Sequence, residues 1–336
     1  MKKKIVIFHA GPAGLAAAQS IIEKDLASEL IIIDPNDGTL PSKIADLKAS
    51  SDVLGRFIDI RGSIEFAQID DADFFLLTCP FGEAPSSDEA LAEVLPFLRQ
   101  MATEIGFRAG QSTIVVACEP ADLITFALAK LTKASIKVVG TGTVIESAHF
   151  LRLLKGVDTT LQEAMVIGNK HSSIIPLWTS LKPIPVIEHT KSDAHKRQKF
   201  KELLKTGYSP ARVPAPALGV AGAEIIHALC SEFPKRMTLS IMCNGQFDIC
   251  EQEVVMGLPV SVSIAGTVID ETVVIGDLEK QKLLELATES QGIQRRLKLR
   301  EGLTGYLEVD RSEYVGNPPH SPKLHRKILA YEPEEE

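Results

Sequence analysis

The stretch that decides the fold is "IVIFHAGPAGLAAAQS", residues 5–20, together with "LIIID" at residues 30–34. A short apolar run leads into a turn that contains Gly11 and Gly14, and a segment of small residues with helical spacing follows. The second apolar run ends at Asp34, twenty residues after Gly14. A strand, a glycine turn, a helix and an acid that ends the next strand are the parts of a dinucleotide-binding βαβ unit.

The residues of this unit have separate tasks. The glycines permit a tight turn and bring a pyrophosphate close to the helix N-terminus, and the acid binds ribose hydroxyls. The pattern departs from G-x-G-x-x-G because His9 stands at the first glycine, and Pro12 removes one backbone N–H. The sequence predicts a site formed by His9, Gly11, Pro12, Gly14 and Asp34, which prefers NAD because Asp34 would repel a 2'-phosphate. An ordinary strand-turn-helix without a ligand stays open as the alternative.

The rest of the chain extends this unit into two parts. Apolar runs at residues 73–78, 113–120 and 136–142 alternate with helical patterns, which predicts parallel strands joined by crossover helices. We therefore predict a doubly wound α/β domain over residues 1–142. Residues 143–300 mix helices with alternating strands and predict an α+β domain. Residues 301–336 are rich in proline and charge, and we expect a tail that is disordered or lies against a partner.

Composition narrows the function classes. The 336 residues carry a formal net charge of −8, which argues against a nucleic-acid binder. The five cysteines form no C-x-x-C pair and mostly lie in apolar runs, as is typical of reduced thiols in the cytoplasm. Neither a signal peptide nor a membrane span is predicted. We expect a cytoplasmic protein.

Four ordered segments resemble the lactate and malate dehydrogenases over about residues 4–296. They are "IADLKAS" (44–50), "VVACEPADLITFALAK" (115–130), "VVGTGTVIESAHFLRLL" (138–154) and "VIGNKHSSIIPLW" (166–178). The resemblance implies a Rossmann domain followed by an α+β substrate domain. It also implies a homodimer or homotetramer built around residues 44–50 and the C-terminal helices.

The resemblance implies catalytic positions whose residue types have changed. The family's asparagine falls at Glu119, its aspartate at Glu146, its substrate-binding arginine at His149, and its catalytic histidine at Lys170 with His171 next to it. A carboxylate at 119 would repel the small organic acid that the family binds, and imidazole cannot reproduce the two-pronged grip of arginine.

The segment that resembles the family's mobile loop has also lost its cations. It follows Thr78 and Cys79, which we place with the cofactor-binding residues, and residues 62–98 contain no lysine or arginine. Acids stand there instead, at Glu83, Asp88 and Glu89. A 2-hydroxy or 2-oxo acid would therefore find no positive side chain in the lid.

Three functional hypotheses remain open. The first is an NAD-binding homologue that has lost lactate and malate dehydrogenase activity and acts as a binding or structural protein, with the tail as a contact for a partner. The second is an NAD-dependent oxidoreductase for a neutral or cationic substrate, with His171 or Lys170 as acid/base oriented by Glu146. In the third, His9 and Pro12 close the nucleotide site.

The remaining predictions concern Arg152, a possible zinc site and a basic run. Arg152 is either a relocated anion contact or a solvent-facing residue. His149, Glu146, His171 and Glu119 are suitable types for zinc, but their spacing supports no metal site. The basic run at residues 191–205 predicts a solvated helix face.

Overall fold

The fold is described by a computed structural model. It describes residues 2–34, 37–79, 88–132, 134–156, 158–169, 172–182, 214–249, 253–300 and 302–303. The strands are β1 (Lys3–Phe8), β2 (Ala27–Ile33), β3 (Asp59–Ser63), β4 (Phe74–Leu77), β5 (Thr113–Val116), β6 (Lys137–Gly140), β7 (Glu163–Asn169), β8 (Ser173–Lys182), β9 (Lys235–Cys243), β10 (Val254–Ser263) and β11 (Gly266–Ile269). The helices are α1 (Pro12–Glu23), α2 (Leu40–Val53), α3 (Asp88–Arg108), α4 (Ala121–Leu131), α5 (Val144–Lys155), α6 (Ala215–Leu229) and α7 (Asp277–Arg300), with 3-10 turns at Phe66–Gln68 and Gln246–Asp248.

The strands of the described residues join in one eleven-stranded sheet. Its order is β3-β2-β1-β4-β5-β6-β9-β10-β7-β8, and β11 pairs with β10. The first six strands are parallel and have the 3-2-1-4-5-6 order of a dinucleotide-binding sheet. The later strands pair antiparallel, and β9 meets β6 where Ser240 faces Gly140. The predicted fold class is confirmed, while the boundary between residues 142 and 143 stays a prediction.

The parallel strands are buried on both faces because helices cover both. Ile5 and Ile7 of β1 pack with α1 and α6 on one side, and Val6 and Phe8 pack with α3 and α4 on the other. This explains why the sequence shows unbroken apolar runs rather than alternation. At the ends of β1 and β4 the strand order reverses, which leaves the crevice where such sheets bind ligands.

The predicted strands agree with the structure, and other predictions lie outside the described residues. The apolar runs at residues 73–78, 113–120 and 136–142 contain β4, β5 and β6, as predicted. α5 begins at Val144, directly after the turn that follows β6. The basic run 191–205 and residues 304–336 of the tail lie outside the described residues. Among the described cysteines, Cys79, Cys118 and Cys243 are buried, and Cys230 is half-buried.

None of the helices in the described ranges is long and apolar enough to cross a bilayer.

Candidate functional site

The glycine turn, residues 9–14, joins the end of β1 to the start of α1. Gly11 precedes the first residue of the helix in an extended conformation, and Pro12 opens the helix. A Cβ on Gly14 would lie 2.0 Å from the backbone oxygen of His9, so only glycine fits there. The tight turn that the sequence predicts is therefore present.

His9 lies over this turn. Its φ of 82° is a conformation that glycine adopts easily and other residues rarely do. The N–H of Gly11 donates to Nδ1 of His9 at 3.1 Å. A Cβ on Gly11 would lie 2.3 Å from Cε1 of the imidazole, so the ring packs directly on the turn.

The surroundings of His9 keep the ring neutral. Burial lowers the pKa of His9 and outweighs the Asp34 carboxylate, whose Oδ2 lies 3.8 Å from Nε2. Because Nδ1 accepts a hydrogen bond, the neutral ring carries its proton on Nε2 and directs it toward Asp34. Only 12% of the side chain is exposed.

Asp34, the residue after β2, holds the turn. Its side chain is buried, and Oδ2 accepts the N–H of Ala10 at 2.8 Å. Lys43 of α2 donates to the backbone oxygen of Ala10 at 3.0 Å and to Oδ2 of Asp37 at 2.6 Å. Sequence reasoning missed Lys43, whose only signal is a basic residue within the segment that follows β2.

Thr78 and Cys79 fasten β4 to the turn. Oγ1 of Thr78 donates to the backbone oxygens of Phe8 and His9 at 2.8 and 3.1 Å. Sγ of Cys79 lies 3.8 Å from the oxygen of Phe8, and burial raises the pKa of this thiol. Both side chains are buried, and their contacts stabilise the backbone of Phe8 and His9 where the turn begins.

A cleft of about 660 Å³ opens beside the turn, at the ends of β2 and β3. It is lined by Asp37, Gly38, Leu40, Pro41, Ile44, Gly62, Ser63, Ile64, Glu65 and Gln68. Its apolar walls and polar rim fit the adenosine part of NAD. The diphosphate part does not fit while the imidazole lies on the turn, because the Gly11 N–H already has an acceptor and Pro12 has no N–H.

The predicted substrate residues lie at the start of α4 and along α5. The peptide before Pro120 is cis, and Oε2 of Glu119 accepts the N–H of Ala121 at 3.3 Å, at the N-terminus of α4. Glu146 lies in the first turn of α5 and is 1% exposed. His149 is half-buried, and burial and the positive charge of Arg152 lower its pKa. Arg152 is exposed.

The predicted positions are not all among the described residues. Lys170, His171 and Glu83 lie outside the described residues. Asp88 and Glu89 are the first two residues of α3. Within the described ranges, no group of three or more metal-binding side chains is assembled.

A second, smaller cavity of about 100 Å³ lies beside the end of β7. It is lined by Asp122, Leu123, Asn169, Ser172, Glu289, Ser290 and Ile293. Ser172 donates to Glu289 at 2.5 Å, and Nδ2 of Asn169 donates to Ser290 at 3.2 Å. The sequence analysis missed this group because it joins segments about 120 residues apart, and no local pattern marks such a meeting.

No protein-family model matches the chain. A malate dehydrogenase of Salinibacter ruber is 22% identical over 316 residues, which are 88% of this chain and 96% of that enzyme. A malate dehydrogenase of Pelodictyon phaeoclathratiforme is 26% identical over 283 residues, which are 78% of this chain and 88% of that enzyme. The crystal structure of a minor L-lactate dehydrogenase from Enterococcus mundtii superimposes with a TM-score of 0.72 at 21% identity and covers 89% of this chain and 99% of its own. The chain is therefore a distant relative of the lactate and malate dehydrogenases and has their fold.

Proposed function

We propose that this chain is an NAD-type nucleotide-binding homologue of the lactate and malate dehydrogenases that does not oxidise lactate or malate. The observation that carries the proposal is the charge of the residues at the positions that the resemblance assigns to the substrate. Glu119 and Glu146 bring carboxylates, and among these three positions within the described residues the only basic group is the imidazole of His149.

The imidazole cannot replace the missing cation. Burial and Arg152 lower the pKa of His149 from 6.5, so the ring is mostly neutral at pH 7. A neutral ring offers one N–H, whereas a guanidinium holds a carboxylate through two parallel charge-assisted bonds. Such a bond contributes about 1.5–3 kcal/mol. An organic acid therefore loses much of the binding free energy that a guanidinium would supply here.

The carboxylates also disfavour the binding of an organic acid. Glu119 is only half-buried and points to the N-terminus of α4, where the backbone N–H of Ala121 stabilises its negative charge. A second anion in this position would compete for the same helix terminus and would face the Glu119 carboxylate.

The nucleotide part of the proposal depends on the cleft at the ends of β2 and β3. Its apolar walls, Leu40 and Ile44, would hold the adenine, and the polar groups of its rim would hold the ribose. NAD, when bound, would supply a hydride acceptor. The residues of the chain would bind and orient the nucleotide.

One observation favours a second candidate function, an oxidoreductase for a neutral or cationic substrate. The cavity beside β7 is lined by two carboxylates, Asp122 and Glu289, and by hydroxyl and amide groups, with no lysine or arginine among its lining residues. In this alternative, Lys170 or His171 exchanges a proton with the substrate and the buried Glu146 orients it.

Fluorescence titration with NADH and a turnover assay test the proposal together. We expect NADH to bind and lactate and malate to leave NAD unreduced, with oxamate failing to bind to the NADH complex. An active lactate dehydrogenase assayed in parallel is the control. Turnover of lactate or malate contradicts the proposal, and reduction of NAD by an alcohol or amine supports the second candidate.

Three further expectations belong to the same proposal. We propose a homodimer or homotetramer. It is supported by two apolar residues at the end of α2, Val53, which is its last residue, and Phe57, which follows four residues later. They are 87% and 92% exposed. Sedimentation of the wild type and of Phe57→Ser tests this.

We also propose that residues 1–142 and 143–300 are separate domains, and limited proteolysis tests this. Residues 301–336 are proposed to contact a protein partner, and a pull-down tests this.

A further inference from the structure

The imidazole of His9 occupies the part of the glycine turn that a nucleotide diphosphate needs. Diphosphates bind where backbone N–H groups converge at a helix N-terminus. In this chain the Gly11 N–H donates to Nδ1 of His9 at 3.1 Å. The ring also takes the space on Gly11, since a Cβ there would lie 2.3 Å from Cε1.

One hydrogen bond and a nearby carboxylate position the ring. Besides the bond from Gly11, Nε2 lies 3.8 Å from Oδ2 of Asp34. Asp34 is itself tied to the turn by the N–H of Ala10 at 2.8 Å. The charged groups that surround the ring are therefore Asp34, Lys43 and Asp37, and the Lys43 ammonium is already bound to Asp37 at 2.6 Å.

The cleft next to the turn is not affected by the ring. Its lining residues come from α2 and from the segments that follow β2 and β3, and His9 is not one of them. Adenosine can therefore occupy the cleft with the imidazole in place, whereas a diphosphate must first displace it.

We propose that His9 is a specificity-determining residue that closes the diphosphate part of the nucleotide site, so that the site favours adenosine-type ligands over dinucleotides. This rests on the proposed nucleotide-binding function and defines its ligand class. A dinucleotide binds only after the imidazole has left the Gly11 N–H, and the work of displacement reduces its affinity.

Calorimetric titration of adenosine and ADP-ribose into wild type and His9→Gly tests the proposal. Glycine suits the φ of 82° and removes the ring. We expect ADP-ribose and NADH to bind about tenfold more tightly to His9→Gly, since one net hydrogen bond no longer has to be broken. Adenosine affinity should not change.

Two further variants serve as controls. His9→Ala removes the ring but keeps a Cβ, and we expect the same gain for ADP-ribose. His227→Ala removes a half-exposed histidine from α6, next to Glu224, and should leave all affinities unchanged. An unaltered adenosine affinity shows that each variant is folded.

The outcomes separate the two proposals. Equal ADP-ribose affinity in wild type and His9→Gly, with adenosine bound by both, contradicts the role of His9 alone. An equal gain for adenosine and ADP-ribose also contradicts it, because the effect would then not concern the diphosphate. If neither ligand binds to any variant, the nucleotide-binding function itself is wrong and the role of His9 falls with it.

Discussion

The glycine turn differs from the proposed substrate positions in what would limit ligand binding. In the turn, Gly14 makes a tight backbone contact, Asp34 follows β2, and a single side chain, His9, lies across the backbone. At the proposed substrate positions, Glu119 precedes α4 and His149 lies in α5, so an organic acid would meet a carboxylate and an imidazole. The first limit is steric and the second is electrostatic.

This difference determines which limit a single substitution removes. The Gly11 N–H belongs to the backbone, whereas Pro12 has no N–H, so we expect the loss of the His9 ring to free one donor for a diphosphate. Charge at a carboxylate-binding site comes only from side chains, so several must be replaced together. Single substitutions in each region test this difference.

The largest effect is expected for Gly14→Ala. Its Cβ would lie 2.0 Å from the backbone oxygen of His9, which cannot move without shifting β1 from α1. We expect a loss of about 3 kcal/mol in the free energy of unfolding, as for severe overpacking. Urea denaturation measures it.

Two other glycines serve as controls for that variant. The Cβ of Gly11→Ala would meet the imidazole of His9, a side chain that can turn away, so we expect a smaller loss. Gly38→Ala has open space around it and should change stability by less than about 0.5 kcal/mol. Equal losses in all three variants would show that the tight turn is not a packing constraint.

A medium effect is expected for Glu224→Gln. This variant tests whether ion pairs between α6 and its neighbours stabilise the region that contains the glycine turn. Glu224 of α6 binds Lys24 after α1 at 2.7 Å and Lys235 of β9 at 2.8 Å. Burial opposes ionisation, but the two lysines lower the pKa of Glu224 from 4.5 to about 2. We expect a loss of about 1 kcal/mol at pH 7, after allowance for solvent screening.

The pH dependence of that loss has a defined sign. Because the folded-state pKa is depressed, the stabilisation is present above pH 4.5 and disappears as the pH falls toward about 2. Wild type and Glu224→Gln should therefore converge in acid-denaturation curves. Glu253→Gln, whose partner is Lys130, is the matched exposed control. A difference that persists unchanged at low pH would contradict the assignment.

A smaller effect is expected from the titration of His9. Burial lowers its folded-state pKa below the usual 6.5, so below pH 6.5 the unfolded chain binds a proton that the folded chain does not. Stability should therefore fall as the pH drops from 6.5 toward the folded-state pKa. His9→Asn should remove this part of the pH dependence, as thermal denaturation at several pH values will show. His149→Gln, which removes another histidine of lowered pKa, measures the independent contribution of α5.

The smallest effect is expected for His149→Arg. This variant restores one cation, but the carboxylate of Glu119 remains in the site. We expect no measurable turnover of lactate or malate and no binding of oxamate in the presence of NADH. If this single substitution restored anion binding, the contrast between the two regions would be wrong.

Much of the fold followed from local patterns. The unbroken apolar runs around residues 5–8 and 30–33 predicted buried parallel strands, and the glycines at 11 and 14 predicted the tight crossover, because both signals depend on neighbours in the chain. The roles of Thr78 and Lys43 did not follow in the same way. Their hydrogen bonds join residues 70 and 33 positions apart, and no short-range pattern contains that information.

The candidate site was also predicted only in part from the sequence. The resemblance to the family singles out Glu119, Glu146 and His149 as candidates, but it does not give the environment that lowers the pKa of His149, since burial is a property of the packed helix. Asp122 and Glu289 were missed as neighbours of one cavity because they meet only when α7 packs against α4 and β7.

By itself, the order of residues determined the kind of fold and which residue types stand at each position, because hydrophobic periodicity and glycine turns act over a few residues of chain. The tertiary structure alone decided that the His9 ring lies on the N–H of Gly11 rather than in solvent. The physical reason is that a rotamer and a pKa depend on the groups that surround a side chain in space, and Asp34, which lies beside the ring, comes from another strand.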